Sequence, residues 1–349
     1  MLTDVFSNRY LNVPIWTTFG EPERRLLVQT FRILKEQLFS YYDSSGNETL
    51  PMKAVWTDLH PRISMELGLP SLSPLVYGYY SPTKQWISGT YTIVKVCETW
   101  MLRDRTSSES ADTYVKERLS LIELGFRTRD EQLATVNQHL PTAIENARLR
   151  ASRKIPGTLQ LPGDPAAGVR ESNKKLNDTF RQLVDELNTR FRQAGCSLHY
   201  HNGFIQRSED SLVLSTVEQP FWNIVAAPKW KNVDIDMKEA VDRRDEGTRD
   251  PAFYAARALE STIKIISDEK GWTHGGERGA HNYIDNLLSS KAKFIELWEA
   301  ESLKIFFSKI RNPMGHGAGS SEMITLSTYQ ESWAIEFCMS WIKGLALRM

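Results

Sequence analysis

Cysteine is scarce in this sequence, and it forms none of the patterns by which it usually marks a function. The three cysteines, Cys97, Cys196 and Cys338, lie far apart, and none belongs to a CxxC pair. This spacing argues against a zinc knuckle and against a disulfide scaffold. It is typical of a protein from the reducing cytoplasm.

Long apolar runs and an excess of one charge are also missing. No apolar stretch reaches the roughly 20 residues that span a bilayer, and the N-terminus lacks the charged-then-apolar pattern of a secretory signal. The 43 basic residues are balanced by 43 acidic ones, unlike the strongly basic composition of a general nucleic-acid coat. We therefore expect a cytoplasmic protein with no membrane partner, in which any RNA binding is local.

What the sequence does contain is helical periodicity over most of its 349 residues, enough for two domains. Residues 1–155 predict a helical N-terminal domain, and the Pro- and Gly-rich residues 156–172 predict a linker. Residues 173–235 predict a small α+β element with a β-hairpin that turns at Asn202-Gly203. Residues 236–349 predict an antiparallel bundle of four to five helices. The predicted fold class is mainly α.

Two local patterns leave alternatives open. Tyr91–Leu102 is apolar and β-branched in its first half, so it is either a strand or a buried helix. His199 and His201 alternate on a predicted strand and therefore share a face, as two metal ligands would. No carboxylate or third His stands at a telling spacing, which favours two ordinary strand histidines. We predict no metal and no other cofactor.

The most informative stretch is Arg311-Asn312-Pro313-Met314-Gly315-His316-Gly317. The helical pattern of Glu301–Ile310 is expected to stop at Pro313, which places Arg311 in the last turn and His316 on a tight, Gly-lined loop. Arg offers planar donors that match phosphate oxygens, and His gains or loses a proton at a pKa of about 6.5. The pair can therefore bind and cut RNA. The alternative is that Arg311 caps helix carbonyls and His316 is a surface residue.

Four further residues complete the candidate site. Gly315 and Gly317 let a bulky polyanion approach the backbone closely. Glu260 lies among apolar positions of a predicted helix that begins at Asp250-Pro251. It either pairs with Lys264 one turn later or faces the candidate site and orients Arg311 or His316. We assign Glu260, Lys264 and the two glycines to substrate binding.

These residues also carry a resemblance to a known family. The stretch from Ala255 to Trp272, followed by the Arg-Asn…His-Gly loop, resembles the HEPN superfamily of small helical bundles. More narrowly, it is similar to the C-terminal half of AbiJ-type abortive-infection proteins. The signature of HEPN ribonucleases is an Arg, a polar residue that is often Asn, a few more residues and a His. Arg311, Asn312 and His316 fill those places, although the family loop is often two residues longer. The resemblance covers about residues 240–349, and a weaker likeness to the AbiJ-like N-terminal region occurs in residues 2–9 and 200–205.

The resemblance implies a HEPN-like bundle with metal-independent endoribonuclease activity. The ribose 2′-OH would attack the adjacent phosphate, with His316 in acid/base work, Arg311 clamping the phosphate and Asn312 bonding the phosphate or holding the loop. Two chains would form a homodimer with a composite active site. The protein would be a toxin or abortive-infection effector in phage defence that cuts tRNA or another RNA. The N-terminal domain would sense a phage-derived trigger or bind an antitoxin.

A different class of function stays open. The bundle is alternatively a non-catalytic module that binds RNA or a nucleotide, or that supports a dimer. An open cleft that contains both Arg311 and His316 favours catalysis, whereas a covered, salt-bridged Arg311 favours a structural role.

Overall fold

Helices make up most of the part of the chain that the computed structural model describes, which is residues 4–152, 164–208, 211–289, 291–315 and 325–349. This confirms the predicted mainly α class. The helices are α1 (Phe6–Arg9), α2 (Glu21–Arg32), α3 (Leu50–Glu66), α4 (Ile93–Leu102), α5 (Ala111–Ser152), α6 (Ala167–Gln193), α7 (Ser211–Val213), α8 (Gln219–Val225), α9 (Lys231–Glu246), α10 (Pro251–Glu269), α11 (Ala280–Leu288), α12 (Leu297–Phe306), α13 (Asn312–Gly315) and α14 (Thr328–Leu347). Single π-helical turns occur at Ile33–Leu38, Leu214–Glu218 and Phe307–Arg311, and a 3₁₀ turn occurs at Pro228–Trp230. The strands β1 (Val76–Tyr80) and β2 (Trp86–Thr90) form one antiparallel hairpin, and β3 (Leu198–His201) and β4 (Phe204–Arg207) form another hairpin.

The chain folds as two compact units, Met1–Ile205 and Gln206–Met349, and each has its own hydrophobic core. This division differs from the predicted domains. The predicted α+β element, residues 173–235, is shared between the units, because α6 packs along α5 and against β3 in the first unit. Of the predicted linker, residues 156–163 lie outside the described residues, and α6 already begins at Ala167.

The first unit is built around the long helix α5. Its N-terminal half is buried, and Gly125 in that half allows a close approach by the π-helical turn Ile33–Leu38. A Cβ atom at Gly125 would lie 2.4 Å from Leu34 Cδ1, a separation that real Cβ atoms do not adopt. The absence of a side chain at position 125 therefore leaves room for Leu34 of the π-helical turn to pack against α5.

A buried ion-pair network fastens the hairpin of β3 and β4 to the core of the first unit. The carboxylate of Glu123 on α5 accepts from Arg9 at 2.7 Å, from Arg127 at 2.7 Å and from the backbone N–H of Ile205 at 2.7 Å. The two guanidinium groups also lie over the ring of Phe204, at 4.6 and 4.4 Å from its centroid. Described residues of the stretches 2–9 and 200–205, which carry the weaker N-terminal likeness, thus meet at one carboxylate.

The turn of this hairpin confirms the prediction from Asn-Gly. Asn202 and Gly203 both have positive φ, at 41° and 90°, as a type I′ turn requires. The stretch Tyr91–Leu102, for which a strand and a buried helix were both open, is a helix from Ile93 onward. Thr92 caps this helix, α4, by accepting from the N–H of Lys95. The hairpin of β1 and β2, by contrast, occurs in a region that the sequence predicted as helical.

In the second unit, α10 lies at the centre and packs against α9, α11 and α14. Its small and aliphatic residues Ala255, Ala256, Leu259 and Ile263 are fully buried, which permits close helix packing. Of the helices that the structure describes, none combines the length and the apolar character needed to cross a membrane.

Candidate functional site

Arg311 lies at the end of an irregular stretch of helix. The sequence predicted that the helix ends before a tight loop at Pro313, but helical structure continues through Gly315. Proline has no N–H, and its ring collides with the carbonyl group four residues earlier in a regular α-helix, here that of Lys309. The π-helical turn Phe307–Arg311 contains Lys309 and has a wider hydrogen-bond spacing, so the chain accommodates Pro313 and remains helical.

Glu260 joins Arg311 to α10. Its Oε2 atom lies 3.0 Å from Arg311 Nη2, and its Oε1 atom lies 2.8 Å from Lys264 Nζ. The side chain of Glu260 is only 8% exposed, whereas that of Arg311 is 26% exposed. Glu260 therefore forms ion pairs with both Lys264 and Arg311, and it is buried rather than solvated.

The guanidinium of Arg311 keeps unused donors. Its Cζ atom lies 5.9 Å from the ring centroid of Phe253, and its buried Nε atom has no hydrogen-bond partner among the described residues. A guanidinium has five N–H donors, so the bond to Glu260 fixes its position without exhausting them. Such a group can be held on one side while it binds an oxyanion on the other.

Arg311, Glu260 and Lys264 line one pocket in the second unit, with a volume of about 590 Å³. Three cations and two carboxylates face it, which leaves one positive charge in excess. The full lining is Asn232, Ile235, Asp236, Phe253, Arg257, Glu260, Ser261, Lys264 and Arg311.

Several of these residues were missed from the sequence. Arg257 Nη2 lies 3.2 Å from Asp236 Oδ1, and burial raises the pKa of Asp236 although Arg257 acts in the opposite direction. The signal for Arg257 was its position on α10, three residues before Glu260 and four after Phe253, which places all of them on the face that carries Lys264. Asp236 belongs to another helix, and no local spacing connects it with α10.

The other predicted site residues either do not line this pocket or lie outside the described residues. Asn312 follows Arg311 in the chain and is half-buried, but it is not among the residues that line the pocket. Gly315 is the last residue of α13. His316 and Gly317 lie outside the described residues. The structure therefore brings together Arg311, Glu260 and Lys264 of the predicted set.

Within the described ranges, no three His, Cys, Asp or Glu side chains are grouped so that they could hold a metal ion. His199 and His201 have stacked rings with centroids 6.0 Å apart, and both are buried in the first unit. Burial lowers the pKa of His199 to about 4. These two residues thus have the environment of strand histidines packed into a core.

A family model described as AbiJ N-terminal domain 4 matches residues 4–223. The matched segment includes all described residues of the first unit and the beginning of the second. The pocket residues lie after its end. The chain matches none of the curated proteins and none of the solved structures with which it was compared.

Proposed function

The chain belongs to the AbiJ N-terminal domain 4 family, and from this premise we propose that it acts in phage defence as an abortive-infection effector with endoribonuclease activity. The second unit would be a HEPN-type bundle that cuts RNA without a metal ion. The substrate would be tRNA or another cellular RNA. The first unit would respond to a phage-derived trigger or to an antitoxin.

One observation carries the proposal: a partly exposed Arg311, fixed by Glu260, lines a pocket together with Lys264 and Arg257. Arg and Lys are the side chains that bind phosphate oxygens most strongly. The guanidinium of Arg311 has five N–H donors, and its ion pair with Glu260 leaves donors for an incoming acceptor on the exposed part of the group. A phosphodiester oxygen in the pocket would supply such an acceptor.

The proposed reaction uses the nucleophile that RNA itself carries. The 2′-OH attacks the adjacent phosphorus as the bond to the leaving 5′-oxygen breaks, and His316 supplies acid/base catalysis. Arg311 stabilises charge on the non-bridging oxygens, and Asn312 binds phosphate or holds the chain next to it. The products would carry 2′,3′-cyclic phosphate and 5′-hydroxyl ends.

Two proton transfers call for two titratable groups in suitable positions, and each chain offers one candidate histidine in the motif. We therefore propose a homodimer in which two copies of the motif form one composite site.

The test is to incubate RNA with the wild-type protein, Arg311→Ala and His316→Ala in the presence of a chelator. Lys309→Ala is the matched control, because Lys309 is an exposed cation two residues before Arg311 that does not line the pocket. We expect the wild type and the control to cut, and each motif variant to be slower by at least about 100-fold. Equal cutting by all four proteins, or no cutting by the wild type, would contradict the proposal.

A second function has its own supporting observation. The Arg311–Glu260 ion pair is the contact expected of a non-catalytic module that binds RNA or a nucleotide, or that supports a dimer. Such a module would bind RNA in a manner weakened by Arg311→Ala, and its RNA would remain intact. Gel-shift titration and product analysis on the same samples separate the two functions.

A further inference from the structure

The first unit contains a second pocket, with a volume of about 310 Å³. Three elements enclose it: the π-helical turn Ile33–Leu38, the middle of α5 and one face of α6. Irregular π-helical turns occur frequently at functional sites. All of these elements lie inside the segment that the family model matches.

The floor of this pocket is apolar. Leu38 and Leu183 are each 6% exposed, and the ring of Phe180 packs on that of Phe126 with centroids 6.1 Å apart. An apolar surface of this kind favours a ligand with a hydrocarbon or aromatic body. The volume is at the lower end of the roughly 300–1,000 Å³ of small-molecule sites, which suits a metabolite rather than a polymer.

Two cations line the same pocket. Arg129 on α5 is half-buried, and its side chain donates to Gln132 Oε1 at 3.3 Å. Lys175 on α6 is exposed. In the described parts of the chain neither cation forms an ion pair, and no carboxylate lines the pocket. Burial lowers the pKa of Arg129, as expected for a cation that is partly removed from water without a counter-ion.

We propose that this pocket binds a small amphipathic anion, with its single phosphate or carboxylate group on Arg129 and Lys175 and its apolar body on the floor formed by Leu38, Phe180 and Leu183. A guanidinium matches the oxygen geometry of both anionic groups. The anion supplies the negative charge that the lining lacks, while the floor removes its apolar part from water. This assignment is independent of the proposed ribonuclease activity.

The proposal is tested by isothermal titration calorimetry on the full-length protein. The probes are AMP and UMP for a phosphate on an aromatic body, octanoate for a carboxylate on an aliphatic body, and inorganic phosphate and adenosine as the separate halves. We expect AMP, UMP or octanoate to bind with a Kd below about 1 mM. Inorganic phosphate and adenosine, the two halves of AMP, should each bind at least about tenfold more weakly than AMP. The probe that binds identifies the class of anion.

Neighbouring lysines on α6 provide a matched pair of variants. Lys175→Gln removes a cation that lines the pocket, and Lys174→Gln removes an exposed cation that does not. We expect Lys175→Gln and Arg129→Gln each to weaken binding about tenfold, whereas Lys174→Gln changes it by less than about twofold. Thr179→Trp fills the pocket from an exposed position and should abolish binding without disturbing the core.

Four results would overturn the assignment. The first is that none of the probes binds to the wild type. The second is that Lys174→Gln weakens binding as much as Lys175→Gln. The third is that Thr179→Trp, shown to be folded by circular dichroism, binds like the wild type. Arg311→Ala should leave the affinity unchanged, so a lost response in that variant would place the probe in the pocket of the second unit and would also overturn the assignment.

Discussion

At the scale of single residues, the candidate site depends on one carboxylate that pairs with two cations. Glu260 holds Lys264 with one oxygen and Arg311 with the other, and it is nearly buried while both partners reach solvent. One nearly buried carboxylate thus holds two partly exposed cations. If the pocket binds a phosphodiester, Glu260 acts as a positioning residue rather than by contact with the reacting atoms.

The substitution Glu260→Gln tests this role, because it keeps the shape of the side chain and removes its charge. We expect RNA cleavage to slow by at least about tenfold, since Arg311 loses the anion that orients it. The free energy of unfolding should fall by about 1–3 kcal/mol. Single-turnover cleavage and thermal melting measure the two effects.

The control is Glu301→Gln, an exposed glutamate of the same unit. It should change neither quantity. If Glu260→Gln cuts RNA at the wild-type rate while Arg311→Ala is inactive, Arg311 does not depend on Glu260 for its position.

A second, half-buried carboxyl group in this unit gives a prediction for pH. Burial raises the pKa of Glu218 to about 7, although Arg244 acts in the opposite direction. In the unfolded chain the group titrates near 4.5, so folding binds a proton between these two values. The stabilisation is therefore complete below pH 4.5 and is lost as the pH rises through about 7, with a magnitude of up to about 3 kcal/mol.

Glu218→Gln removes this titration. We expect the stability difference between the wild type and Glu218→Gln to move in favour of the variant as the pH increases from about 5 to about 8. Urea unfolding at several pH values measures the difference. A difference that stays constant over this range would show that the carboxyl group has no raised pKa in the folded protein.

At the scale of elements, the sequence predicted those turns whose geometry depends on the residues within the turn itself. The hairpin of β3 and β4 was predicted because Asn202-Gly203 takes the two positive φ values of a type I′ turn. The hairpin of β1 and β2 was missed for the opposite reason. Its turn uses Lys84 at a φ of 60°, and its strands have no buried face to impose an alternation.

The π-helical turns could not be predicted from periodicity, and this explains the error at Pro313. A proline normally ends a helix, and only the wider turn before it keeps the chain helical. Part of the site was predictable for a different reason. Glu260 and Lys264 are one turn apart on one helix, whereas the pairing of Glu260 with Arg311, and of Arg257 with Asp236, is made by tertiary packing between helices.

The exposed hairpin of β1 and β2 should contribute little to the free energy of unfolding. Trp86 is 58% exposed, and its ring lies over Gly78, where a Cβ atom would come within 2.1 Å of it. Trp56 on α3 is fully buried, and its Nε1–H donates to the carbonyl oxygen of Phe39 at 3.0 Å. We expect Trp86→Ala to lower the free energy of unfolding by less than about 0.5 kcal/mol and Trp56→Ala to lower it by about 3–5 kcal/mol.

Urea unfolding followed by circular dichroism measures both variants, and each serves as the control of the other. A cost for Trp86→Ala similar to that for Trp56→Ala would mean that the hairpin is part of the core of the first unit.

At the scale of the whole molecule, two hydrophobic cores imply two cooperative units. The core of the first unit surrounds α5, with the Glu123 network at its edge, and the core of the second surrounds α10. Contacts within a core form or break together, so a local defect is expected to lower the stability of the unit that contains it. Calorimetric unfolding of the full chain should therefore resolve two transitions.

Two substitutions assign these transitions. Glu123→Gln removes the charge that pairs with Arg9 and Arg127. It should lower the free energy of unfolding of the first unit by about 3–5 kcal/mol. Leu259→Ala opens a cavity in the second core and should lower the free energy of unfolding of the second unit by about 2–5 kcal/mol. The exposed residues Glu131 on α5 and Leu297 on α12 provide the matched controls Glu131→Gln and Leu297→Ala, which should shift neither transition. If Glu123→Gln and Leu259→Ala lower one common transition, the two cores unfold as a single cooperative unit, and a ligand bound to the first unit would then stabilise the candidate nuclease site as well.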